Sequence, residues 1–210
     1  MRRGIGITIA LLLMAGMAQA AISPGAAKDL PLLRMAFLSI WPQAPLLHIP
    51  AGQVEQESDW NEHATLKTPR ELGRGLCQMT VTKNFNIYLD AVKYKALKGW
   101  DWKTSPYDPA KQLTFLAYQD RDNFTASKAI NAEEQWKITL VRYNAGDGRI
   151  NARRRYAIAK GIPTDRWTGG LEQAHSPLEN SILYGATFWK TVNAYPTLIF
   201  KKAEKYKGHI

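Results

Sequence analysis

Pro50-Ala51-Gly52-Gln53-Val54-Glu55-Gln56-Glu57-Ser58-Asp59-Trp60 is the stretch on which the reading of this chain turns. Pro50 suits the first turn of a helix, where its missing N–H is not needed, and the helix predicted from it runs to about Ser58. Successive helical residues lie about 100° apart around the axis. Val54, Glu57 and Ser58 therefore share a face, and Glu55 points elsewhere. With Val54 in the core, Glu57 is drawn toward the interior and Glu55 toward water. A carboxyl lodged at a helix end against apolar side chains has its charged form destabilised. Its pKa rises, and it holds a proton near neutrality, as a general acid must. The plainer reading of Glu57 is a surface acid on a polar helix end.

Residues 61–82 follow as an irregular, polar, glycine-containing segment, of a length that is usually functional or mobile within a compact domain. Short β pieces fit there. Gly73-Arg74-Gly75-Leu76-Cys77-Gln78-Met79 offers tight turns, close backbone approach to a ligand, and in Gln78 an amide that both donates and accepts. It follows no clear buried strand, so it is not read as a dinucleotide loop. Tyr143-Asn144-Ala145-Gly146 closes a helical pattern, with Gly146 where a helix end favours a left-handed residue. Tyr143 and Asn144 then stand at the lip of whatever cleft lies there.

The rest of the chain is mostly helical in pattern. Helices are predicted over 29–41, 85–98, 108–121 and 149–160. Asp108 with Pro109 opens the third of these, and Asn131 with Glu134 forms a capping box ahead of Trp136, Ile138, Leu140 and Val141. Ser176-Pro177-Leu178-Glu179 opens a further helix to about Asn193, and a last one follows Pro196. The fold class is mainly α, a single domain over 21–210 with a possible short β segment around 61–82 and C-terminal helices over 176–207.

Ahead of that domain, Arg2 and Arg3 precede an apolar run from Ile5 to Met17, and Ala18-Gln19-Ala20 supplies a small-x-small cleavage site. Residues 1–20 read as a signal peptide, since the run is short for a membrane span. The expected mature protein is exported, to the periplasm or beyond. Lys and Arg number 28 against 18 acids, a formal charge of +10, or +8 without the two leader arginines. Such a protein favours anionic surfaces, and export argues against nucleic acid as the partner. Arg153, Arg154, Arg155 and the tail lysines Lys201, Lys202, Lys205 and Lys207 are candidates for that contact, or simply solvated helix faces. Cys77 is the sole cysteine, so no internal disulfide forms. The four histidines are scattered and make no metal motif, and no cofactor is expected.

Taken in order, these motifs resemble the soluble lytic transglycosylase family, whose fold is lysozyme-like. Glu57, Ser58 and Trp60 match its E-S-x-F/W motif. Gly75, Leu76 and Gln78 match G-A-x-G-L-M-Q, and Tyr143 to Gly146 match A-Y-N-A-G. The resemblance spans about 46–160. Gly73 stands where the family usually has Ala, Cys77 where it has Met, and Arg142 where a small residue precedes the tyrosine. The resemblance implies a peptidoglycan substrate, cut between N-acetylmuramic acid and N-acetylglucosamine with a 1,6-anhydro product. Glu57 would be the acid and base, and Ser58, Gln78, Tyr143 and Asn144 would position the sugars or the acid.

Two other readings stand beside it. A hydrolase resembling goose-type lysozyme needs a second carboxylate to activate water, and Asp59, Asp90, Asp120 and Asp147 are formally available. A catalytically silent wall-binding or assembly component would instead use its basic tail.

Overall fold

The computed structural model describes residues 21–183 and 186–210; the expected signal peptide lies outside the described residues. The fold is mainly α, with a small antiparallel sheet in the segment where β pieces were expected. Among the described residues no helix is long and apolar enough to cross a membrane.

Helix α1 (Pro24–Ile40) starts earlier than the apolar pattern indicates. Ser23 caps it by accepting from the Ala26 N–H, and Pro24 takes the first turn. Helix α2 (His48–Ser58) is the hub: Ile49 to Glu55 are all buried. It ends at Asp59 and Trp60, two consecutive non-glycine residues with positive φ (52° and 61°). That strained exit is held by burial of the Trp60 ring, whose Nε1 donates to the Tyr206 hydroxyl at 2.8 Å.

Strands β1 (Thr65–Lys67), β2 (Glu71–Arg74) and β3 (Met79–Thr82) form a meander in that order. The turn between β2 and β3 carries Gly75 at φ +73°, and Gln78 also has positive φ. A Cβ on Gly75 would lie 2.2 Å from the Gln112 amide, so this turn admits only glycine. A Cβ on Gly73 would lie 2.7 Å from the Gln78 side-chain oxygen, so a larger residue there would have to turn that amide aside.

The helix expected over 85–98 is only one short turn, α3 (Ile87–Ala91). Aromatic packing overrides the periodicity: Tyr88 stacks on Trp102, the backbone extends at Tyr94, and that ring stacks on Tyr118. Helix α4 (Pro109–Ala126) is opened by Asp108 as expected. Helix α5 (Ala132–Ala145) is capped by the Asn131 side chain on the Glu134 N–H. The reciprocal half of the expected box is absent. The Glu134 carboxylate instead accepts from the Trp167 and Thr168 N–H groups at 2.7 and 2.8 Å, tying α5 to a distant loop. Helix α5 divides the core, with Trp136 and Leu140 in one apolar group and Ile138 and Val141 in another with Ile150 and Trp167. Helix α6 (Asp147–Ala159) follows Gly146 directly.

The C-terminal expectation fails in detail. Ser176 to Glu179 makes its capping box, but around a single 3-10 turn. Glu179 is fully buried and also receives Arg153, itself fully buried, so this arginine is a structural ion partner and not a surface cation. Two short strands, β4 (Ile182–Leu183) and β5 (Ala186–Thr187), come next. The helix proper is α7 (Phe188–Ala203), with Thr187 as its cap and Pro196 inside it, not ahead of it. Glu55, expected in water, is buried instead. The side of α2 away from the Val54 face is covered by the C-terminal segment, where Tyr206 and Lys205 reach the Glu55 carboxylate at 2.6 and 2.8 Å.

Candidate active site

Glu57 lies in the last turn of α2, where the helix dipole disfavours a negative charge. It is half-buried. The Tyr195 hydroxyl, from α7, donates to its Oε1. Burial lifts the pKa of Glu57 to about 7, against the Tyr195 hydrogen bond and the Lys202 charge, which both favour the carboxylate. The side chain is thus a proton donor and, once emptied, a proton acceptor at neutral pH.

Four neighbouring groups feel the charge of Glu57: Cys77, Asp120, Tyr143 and Tyr195. Tyr143 and Tyr195 are held as neutral phenols, their pKa values pushed well up by burial first and then by neighbouring charges. The Cys77 thiol is raised in the same way, which leaves it a packing group and not a nucleophile. Asp120, on α4, is fully buried and also pushed well up by burial. Its one hydrogen bond among the described residues comes from the Gln53 amide at 3.5 Å, and burial favours its neutral form.

A cleft of about 380 Å³ runs beside this cluster. Gln78, Met79 and Thr80 contribute one part of its lining, and Tyr143, Asn144 and Gly146 another. Phe115, Gln119 and Asn123 of α4 also line it, and they continue with Phe85 and Ile87 into an adjoining hollow reaching Tyr94. The two share Phe85, Ile87, Phe115, Gln119 and Asn123 and so adjoin. The cleft is built by a few specific bonds. The Tyr143 hydroxyl donates to the Cys77 carbonyl at 2.7 Å, joining α5 to the turn before β3. The Gln112 side chain accepts from the Cys77 N–H at 3.1 Å and donates to the Pro106 carbonyl at 2.7 Å.

Of the residues singled out in the sequence, Gln78, Tyr143 and Asn144 line this one cleft. Glu57 does not line it but neighbours it, since Cys77 and Tyr143, which do, both sense its charge. The Ser58 hydroxyl is engaged elsewhere, donating back to the Val54 carbonyl at 3.1 Å. The Gln78 amide is partly engaged too, donating to the Gly75 carbonyl at 3.1 Å. Tyr195, Gln112, Arg142 and Glu71 are further residues of the site that sequence reasoning missed. Of these only Arg142 left a trace, as a departure from the motif around Tyr143. Among the described residues no group of three or more His, Cys, Asp or Glu side chains converges as a metal site would. No protein-family model matches the chain, and no curated protein matches it.

Proposed function

We propose that the chain is a peptidoglycan lytic transglycosylase in which Glu57 acts alone as acid and then base. The observation that carries this reading is Glu57 itself: half-buried, bonded by Tyr195, with a pKa of about 7, beside a groove lined by Gln78, Tyr143 and Asn144. The protonated carboxyl gives its hydrogen to the oxygen linking muramic acid to N-acetylglucosamine, and the bond from that oxygen to the muramoyl C1 breaks. The resulting carboxylate, steadied by the Tyr195 hydroxyl, takes the proton of the muramoyl 6-hydroxyl as that oxygen bonds to C1. A 1,6-anhydro ring closes, no water is consumed, and Glu57 regains its proton. A pKa near neutrality suits both halves of this cycle.

Digestion of purified sacculi tests the proposal. Wild-type protein should release anhydro-muropeptides detectable by mass spectrometry, and Glu57→Gln should lower the rate by about 10²–10⁴-fold while folding normally. Full activity in Glu57→Gln would end it.

A hydrolase reading has one observation in its favour. Glu71, on β2, lines the same cleft and makes no ion pair among the described residues, so a second carboxylate is present to activate water. The aspartates considered from sequence are less suited: Asp120 is shut in the core, Asp90 pairs with Lys93 and Asp147 with Arg142. Reducing ends in the same digest, lost in Glu71→Gln, would favour hydrolysis.

A further inference from the structure

We propose that the Arg142 guanidinium is a carboxylate-recognition point in the cleft, occupied by the Asp147 side chain until a carboxylate of the glycan displaces it. The inference rests on reading the cleft as a glycan site and names which glycans it prefers.

Arg142 is built into the wall. It is 6% exposed, on α5, one residue before Tyr143, and it lines the cleft. Its Nε donates to the Ser127 hydroxyl at 3.3 Å and its Nη2 to the Ala126 carbonyl at 3.4 Å, which fixes the plane of the guanidinium. The remaining nitrogen, Nη1, donates to the Asp147 carboxylate. The two partners differ sharply in setting: the arginine side chain is 5% exposed and the aspartate 72%. The cation is therefore fixed in the protein, and the anion reaches it from solvent. Most of the Asp147 side chain is in solvent, so the carboxylate can swing away at little steric cost.

The charge balance at this point is incomplete. Arg154 lies close enough that the Arg142 charge, after burial, lowers its pKa. Arg154 donates to the Ser127 carbonyl at 3.0 Å, but its buried Nε has no hydrogen-bond partner. A second guanidinium thus lies near Arg142, and the salt bridge at this point is that of Arg142 with Asp147, so positive charge is in excess there. An incoming carboxylate would meet one charged donor, Nη1, held in place by the bonds of the other two nitrogens. Glu71, the other charged lining residue, repels an anion from its own neighbourhood, which orients the acidic substituent toward Arg142.

Peptidoglycan offers two such groups, the lactyl carboxylate of a peptide-free muramic acid and the carboxylates of the stem peptide. Calorimetry on the Glu57→Gln protein separates them. It uses a neutral chitin tetrasaccharide, a peptide-free muramoyl tetrasaccharide and its peptide-bearing form. Asp147→Asn should tighten binding of one or both acidic glycans about tenfold by removing the resident competitor, and leave the chitin oligomer unchanged. A gain with the peptide-free form alone assigns the lactyl carboxylate, a gain with the peptide-bearing form alone assigns the stem, and a gain with both means that Arg142 takes either carboxylate. Adding Arg142→Lys, which keeps the charge but loses the fork, should abolish the gain in a protein with unchanged circular dichroism. An equal effect of Asp147→Asn on all three glycans, or none on any, would overturn the inference while leaving the glycan cleft standing. Failure of every glycan to bind, the neutral one included, would remove both.

Discussion

A glutamate that titrates near 7 instead of the ordinary 4.5 records a native state in which its charge is unwelcome. The sign of the stability effect follows. Below about 4.5 the group is neutral whether the chain is folded or not, and it penalises neither state. As pH rises through the interval up to about 7, the unfolded chain ionises Glu57 while the folded one resists, so stability falls. The full loss, reached above about 7, is on the order of 3 kcal/mol. Glu57→Gln cannot ionise, and its amide oxygen can still accept from Tyr195. Urea unfolding should therefore show the variant more stable than wild type at pH 8, by up to that amount, and equal to it near pH 4.5. The same difference at both pH values would mean that burial does not hold Glu57 protonated. The acid itself was legible in the sequence because Val54 and Glu57 share a helical face. Its partner Tyr195 was not, being 138 residues away on a helix whose start is hidden behind a turn and two short strands. Glu55 shows the opposite failure: one helix's periodicity places it in water, but a second element covers that side.

The elements follow their local chemistry where caps are strong and depart from it where tertiary contacts are denser. Asp108 with Pro109 and the Asn131 side chain open α4 and α5 where the sequence places them. Three tyrosine and tryptophan ring contacts, two stacked and one edge-on, cut α3 short, and burial of Glu179 against Arg153 leaves only a turn where a helix was expected. The packing of α2 on α7 matters most to the site, because it sets Glu57 against Tyr195. Gly52 is the point of closest approach: a Cβ there would lie 2.6 Å from the Ile199 carbonyl oxygen and 2.7 Å from the Ala203 nitrogen. These are backbone atoms and cannot rotate aside. In an open helix Gly→Ala stabilises by about 0.5–1 kcal/mol. Here Gly52→Ala should instead destabilise by about 1–3 kcal/mol, as overpacking does, and the activity at neutral pH should fall with it as α7 shifts. A melting temperature at or above wild type would show that the two helices are not in contact at this residue.

Across the whole molecule, the surplus of positive charge is not spread as the composition alone implies. Much of the basic tail is committed to the fold: Lys205 pairs with Glu55, Lys202 donates to the Glu55 carbonyl at 3.3 Å, and Lys207 pairs with Glu204. Arg153 is buried. By contrast Lys67, Arg70 and Lys83 are exposed and make no ion pair among the described residues. They lie on and around the sheet whose residues Glu71, Met79 and Thr80 line the cleft. An anionic polymer drawn to these cations would arrive at the groove, whereas one drawn to the tail would meet two lysines, Lys205 and Lys207, already paired with carboxylates. Reversing Lys67, Arg70 and Lys83 together to glutamate should weaken binding of the Glu57→Gln protein to sacculi several-fold in dilute buffer. Reversing the exposed tail residues Lys201 and Lys207 should change it little. The difference should vanish near 1 M salt, where the screening length is only about 3 Å. Co-sedimentation with sacculi over a salt series reads both effects. An equal loss from the two sets of substitutions would place wall attraction in net charge alone, and a loss from the tail set only would move the contact surface away from the cleft.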